Sequence, residues 1–146
     1  MRSTTGKILT LTTMAALALG VSVSPASAAT TDKTIRKVNG VYGTSGEYWY
    51  TNGKSWRALN AVGAHKSDIT GKRKPTLYAR FLYKKPGGTY KAASGWKKAD
   101  VYKIRGLWEA HTGWGKEGHS GAKYPKNTQI CTQFKGSTVK TCAPLK

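Results

Sequence analysis

The sequence predicts an all-β protein: a single antiparallel β-sandwich or strongly twisted sheet of about seven strands, with a C-terminal hairpin closed by a disulfide. Three observations predict it. Apolar and polar residues alternate with period two over much of the chain, and turn signals interrupt the alternation at short intervals. The large apolar residues after position 28 are largely aromatic, 8 Tyr and 5 Trp against 16 Leu, Ile, Val and Phe together. Cys131 and Cys142 sit in one late stretch that reads as a hairpin. So few aliphatic residues beside so much charge lean toward disorder. The Tyr and Trp rings offset this, since each buries a large apolar area, so much of the core must be aromatic.

Residues 1–28 read as a secretory leader. Arg2 and Lys7 give a positive start, Ile8 to Val23 is apolar and rich in Leu and Ala, and Ala26-Ser27-Ala28 is a small-residue cleavage site. The apolar stretch is too short, and too interrupted by Thr, for a membrane span. No second one follows, so a secreted, extracellular protein without a transmembrane segment is expected. Cleavage leaves 118 of the 146 residues, a flexible lead-in at 29–34 and a single β domain at 35–146. Strands are expected near 35–42, 46–51, 76–84, 89–96, 100–112, 128–134 and 139–143.

In "EYWYTNGKSWRA", Glu47 to Ala58, Asn52-Gly53 is a strong hairpin signal, because both residues accept positive φ. A two-residue turn there pairs Tyr50 with Ser55, Trp49 with Trp56 and Tyr48 with Arg57. A rival reading caps a short helix with Ser55 and puts Trp56 and Leu59 on one stripe, which leaves residues 55–64 open between strand and helix. The shortage of aliphatic residues assigns Trp49 and Trp56 to the core. Tyr48, Tyr50 and Arg57 are then left on the other face, as contacts for a sugar or a base.

The clearest strand is "TLYARFLYK", Thr76 to Lys84. Leu77, Ala79, Phe81 and Tyr83 share one face, and Tyr78, Arg80 and Lys84 share the other. "KPGG" follows, with Pro86 and Gly87 suited to the middle of a type II turn. The chain then returns with Tyr90 opposite Tyr83 and Trp96 near Leu77. From Asp100 to Thr112 the even positions Tyr102, Ile104, Trp108 and Ala110 are apolar, which predicts one long strand bent at Gly106. Gly113 to Asn127 reads as a Gly-rich loop. In "ICTQFKGSTVKTC", a turn at Lys135 to Thr138 sets Phe134 opposite Val139 and Cys131 opposite Cys142, within bridging distance. Ile130, Phe134, Val139 and Ala143 form the apolar face of that hairpin, with the cysteines on the other.

Charge is the main functional clue. The full chain carries 25 Lys and Arg against 6 Asp and Glu, and the leader holds only two of those cations. Beyond it stand 18 Lys and five Arg. Lysine is a hydrated point charge, whereas arginine supplies the fork that reads phosphates and guanine edges. A lysine-rich excess therefore favours salt-sensitive attraction to polyanions without sequence preference. The expected partners are an anionic cell-envelope polymer or another polyanion, with nucleic acid bound non-specifically and no cofactor. Lys72, Arg73 and Lys74 precede the Thr76 strand, and its return brings Lys97 and Lys98 toward them, which predicts a cationic pole of five residues.

Catalytic chemistry is sparse. His65, His111 and His119 lack metal-type spacing, the acids form no close pair, and no G-x-S-x-G occurs. One constellation stands out: Arg105, Glu109 and His111 on a single strand face would supply a clamp, a base and an acid for RNA cleavage. Those residue types, though not their spacing, are similar to small secreted microbial ribonucleases. The leading expectation is a non-catalytic polyanion-binding β domain. A small nuclease and a cationic antimicrobial or toxin-like protein are the alternatives.

Overall fold

Period-two patterning yields eleven strands in the computed structural model, which describes residues 27–115 and 121–146. They are β1 (Thr30–Asn39), β2 (Tyr42–Thr51), β3 (Trp56–Ile69), β4 (Tyr78–Lys84), β5 (Tyr90–Ala92), β6 (Lys97–Lys98), β7 (Asp100–Ile104), β8 (Leu107–Gly115), β9 (Ala122–Pro125), β10 (Gln129–Phe134) and β11 (Thr141–Pro144). Residues 1–26, nearly all of the expected leader, and His119 lie outside the described residues. Among the described residues no helix is long and apolar enough to cross a membrane.

All pairings are antiparallel and form two sheets. The first runs β1-β2-β3-β8-β7, with β9 also on β3; the second runs β11-β10-β4-β5, with β6 also on β4. Their inner faces meet in two clusters. One holds Ile35, Tyr48, Leu59, Val62, Ile130, Ala143 and Leu145; the other holds Ala64, Ala79, Ala99, Val101, Ala110 and Phe134. Of the Tyr and Trp residues only Tyr48 is fully buried. Tyr50, Tyr83, Trp114, Tyr124, Tyr42 and Trp108 pack around these clusters as half-buried walls. The aromatic core is thus a casing around small aliphatic centres. Polar threonines also tie the sheets together: the buried Thr44 hydroxyl donates to Thr141 O at 2.6 Å and meets the hydroxyl of Thr132. Such satisfied buried groups fix one alignment of the sheets, because any other leaves them unpaired.

The long β3 serves two neighbours along one edge. Its first residues pair with β9, Trp56 with Pro125 through Leu59 with Ala122, and its later residues pair with β8 from Ala61 onward. Asn60 is the extra residue at the switch, since Glu47 pairs with Ala61 and Tyr48 with Leu59. A one-residue bulge of this kind bends the strand and re-aims its second half. Gly121 is required there, because a Cβ would lie 1.6 Å from Leu59 O.

Several turns differ from expectation. Residues 30–34 are not a lead-in but part of β1, paired with Glu47–Thr51. Residues 56–69 are strand, which excludes the short helix. At Asn52-Gly53 only Gly53 has positive φ, so the loop is not the two-residue type; Trp49 faces Ala58 and Tyr48 faces Leu59. The slip is two residues, so parity survives and Trp49 still meets Trp56 edge-on at 5.1 Å. The two-residue turn occurs instead at Arg105-Gly106, with φ of 49° and 87°. The predicted long strand 100–112 is therefore the β7–β8 hairpin, with Ile104 opposite Leu107. Paired positive φ matches the twist of the flanking strands. Within the expected Gly-rich loop, residues 122–125 form β9. The C-terminal hairpin keeps its predicted register: Cys131 pairs with Cys142, their Cα atoms are 4.0 Å apart and the disulfide is formed. Its ladder ends at Thr132–Thr141, so Phe134 and Val139 are not a ladder pair.

Burial has an alkaline consequence. Loss of hydration raises the Tyr48 phenol above its ordinary value of 10.0, although Arg57 pulls the other way, and burial likewise raises Tyr124 beside Tyr83. Above that ordinary value the unfolded chain releases protons that the folded one retains. The stability that these phenols contribute is therefore complete below pH 10.0 and is lost as pH climbs through their raised values. The urea midpoint is expected to fall more steeply above pH 10.0 for the native chain than for Tyr48→Phe, and absorbance at 295 nm should show two late-ionising tyrosines.

Candidate functional site

Charge is divided between the sheets. Asp32, Glu47, Asp68, Asp100 and Glu109 all lie on strands of the first sheet. The second sheet and its turns, residues 78–98 and 129–144, hold Arg80, Lys84, Lys85, Lys91, Lys97, Lys98, Lys135 and Lys140 and no acid.

The outer face of this sheet follows from strand alternation. Ala79, Phe81 and Tyr83 of β4 point to the core, so Tyr78, Arg80, Leu82 and Lys84 take the other face along about 20 Å, with Leu82 itself buried there. Ladder partners share a face, so Gln133, Cys131 and Gln129 stand beside Arg80, Leu82 and Lys84 on β10. On the other side Lys98 stands beside Tyr78, and Tyr90 beside Lys84. Tyr78, Trp96 and Tyr90 are 38%, 39% and 45% exposed.

Each of these rings carries a cation. Lys135 Nζ lies 5.8 Å from the Tyr78 centroid, Arg80 Cζ 4.5 Å from Trp96, and Lys84 and Lys140 Nζ each 5.3 Å from Tyr90. Cation–ring contacts of this kind hold long side chains in place at exposed sites. Arg80 is fixed further, because its Nε and Nη2 both donate to Gln133 Oε1, and Gln133 Nε2 donates to Ser137 O. The disulfide lies mid-face, with Cys142 Sγ 4.0 Å from the Tyr90 hydroxyl.

The expected cationic pole forms in part. Lys74 and Lys98 border one hollow, which Asp100 also lines. Lys97 points to the opposite side of its strand, where Nζ donates to Gly113 O at 2.6 Å. Lys72 and Arg73 are exposed on the preceding loop.

The supposed contact face of Tyr48, Tyr50 and Arg57 is instead the inner one. Tyr48 and Arg57 are 4% and 5% exposed, and Tyr50 packs on the core. Arg57 Nε and the Tyr48 hydroxyl both donate to Lys146 O, at 2.7 and 3.0 Å, and the Arg57 guanidinium stacks 3.8 Å from the Tyr50 centroid. Trp49 and Trp56 take the outer side and are half-buried. The polar groups of the inner side are satisfied there, because the Tyr48 hydroxyl and the Arg57 guanidinium share Lys146 O.

The Arg105–Glu109–His111 set is also not assembled. Arg105 occupies the β7–β8 turn, while Glu109 and His111 remain together on the outer face of the first sheet. Glu109 Oε2 lies 3.2 Å from His65 Nε2, and His65 is the ladder partner of His111. That neighbour escaped sequence reasoning because it is 44 residues from Glu109 along the chain.

No family model, no curated protein and no solved structure matches the chain.

Proposed function

We propose that this is an exported, non-catalytic β domain that holds anionic extracellular or cell-envelope polymers on the outer face of its second sheet, chiefly through lysines. The observation that supports the reading is segregation: eight cations and no carboxylate on that sheet and its turns, with every described acid on the other. Such an arrangement creates a one-signed field that attracts a polyanion in a fixed orientation and is weakened by salt. The binding needs no cofactor. The nuclease alternative loses its clamp, because Arg105 sits in a turn away from the other two residues.

The test compares two variants of equal net charge. Lys84, Lys98, Lys135 and Lys140 are each changed to Glu in one, and Lys33, Arg36, Lys37 and Lys54 in the other. The first set should lower the slope of log K against log salt by about 3 on linear polyphosphate, at roughly 0.7–0.9 per contact, and abolish retention on purified envelope at moderate salt. The second set should retain most of the affinity. Equal losses would overturn the reading.

A further inference from the structure

We infer that the polymer taken by this face is single-stranded nucleic acid, bound without sequence preference by base stacking on Tyr78, Trp96 and Tyr90. This rests on the polyanion reading above and narrows it to a ligand with flat rings.

The outer face of the second sheet is rich in donors. Its charged groups are ammonium and guanidinium, which are donors only. Of its side-chain amides, Gln133 is spent at both ends, on Arg80 and on Ser137 O, which leaves Gln129 and the Tyr78 and Tyr90 hydroxyls as its side-chain acceptors. A neutral or hydroxyl-rich sugar chain needs acceptors as well as donors, and this face has no carboxylate to offer. A phosphodiester chain presents only acceptors along its backbone, which suits a surface whose charged groups are all donors.

Lysine alone would account for phosphate binding, but three large exposed rings in the same patch add something a purely charged ligand does not use. Tyr78, Trp96 beside Arg80, and Tyr90 beside Lys84 lie along β4 at steps of about 7 and 13 Å, on the basis of 3.3 Å per residue. Each ring stands next to a cation, so a base on the ring has its phosphate within reach of an ammonium or guanidinium. The Arg80–Trp96 pair, 4.5 Å apart and anchored by Gln133, adds two planar groups in one ledge. Stacking on rings and guanidinium planes is how sequence-tolerant single-strand binders hold bases. A duplex keeps its bases stacked on each other and offers such a sheet face only phosphates, so the single strand is the form that uses the rings.

The experiment uses the secreted chain with its disulfide intact. Tyr78→Leu, Trp96→Leu and Tyr90→Leu are made singly and together, which removes rings but no charge. Affinity for fluorescein-labelled oligo-dT is measured beside that for linear polyphosphate. Each single change is expected to weaken oligo-dT binding at least about fivefold, and the triple change about a hundredfold or more. Polyphosphate affinity should stay within about twofold, and a cooperative thermal unfolding transition in each variant reports that it folds. Trp96 emission should be quenched by oligo-dT and not by polyphosphate.

If the triple variant holds oligo-dT as well as the native chain, the stacking inference fails and the polyanion reading survives. If the native chain holds neither probe at low salt, both fail. Tighter, ring-dependent binding of polygalacturonate or of anionic phosphatidylglycerol vesicles than of oligo-dT would overturn the nucleic-acid assignment, as would equal affinity for a duplex of the same length.

Discussion

Arg57→Met is expected to cost about 2–4 kcal/mol of folding stability while leaving polyanion retention of the folded protein unchanged. Arg57 is 5% exposed, and its guanidinium donates to three main-chain oxygens, those of Lys54, Trp56 and Lys146, while stacking on Tyr50. Methionine fills a similar length but donates nothing, so three buried or half-buried carbonyls lose a partner at once. Among the described residues the Lys146 oxygen keeps only the Tyr48 hydroxyl. Its loosening also frees Leu145, which is wholly buried in the core cluster and bonded by its amide to Thr128 O. The measurement is thermal or urea unfolding, where the loss should appear as a melting point lower by about 10 °C. Arg57→Lys keeps the charge and at most part of the fork, so it should fall between. Retention on polyphosphate is measured well below the transition. A variant that keeps its stability and loses retention would show that Arg57 belongs to a binding face after all.

The inward position of Arg57 shows where sequence reasoning reaches its limit. The aromatic count correctly required that some of the hairpin be core, and period-two alternation correctly separated Trp49 and Trp56 from Tyr48, Tyr50 and Arg57. The side that turns inward meets Lys146 O, almost ninety positions away, and no local pattern carries that contact. The β7–β8 hairpin was hidden for a different reason. A two-residue turn places residues of opposite parity on one face, so Val101 joins Ala110 inside and Tyr102 and Ile104 emerge at 43% exposure each. The apolar even positions run on through Gly106 as if nothing happened, and the alternation looks continuous.

The candidate site was half readable. Alternation in β4 already put Tyr78, Arg80 and Lys84 on one face. Alternation alone sets Tyr90 opposite Tyr83, whereas the structure places it opposite Lys84. A slip of one residue moves a side chain to the other face of a sheet, and that alone hid the third ring of the patch. Trp96 was hidden further by the irregular return, where the amides of Ala93 and Ser94 both bond to Phe81 O. The C-terminal hairpin was readable in full at its disulfide, because its register is set by a short local turn and checked by the two opposed cysteines.

That local closure gives the second large effect. Replacing Cys131 and Cys142 together with Ala is expected to lower stability by about 2–3 kcal/mol, the loop-entropy value for a bridge that closes so short a segment. Alanine suits the site because Cys131 is fully buried between Leu82 and its partner strand and tolerates no added polar group. The binding face tests whether the bridge does more. Lys135 and Lys140 both lie on the connection that it closes, and both contact rings of the patch. If the remaining ladder of β10 and β11 holds that connection, the variant loses stability with no change in the slope of log K against log salt, because no cation has left its place. A slope lower by one or two would show that the bridge positions Lys135 and Lys140 for the polymer, which would make the disulfide part of the site as well as part of the fold.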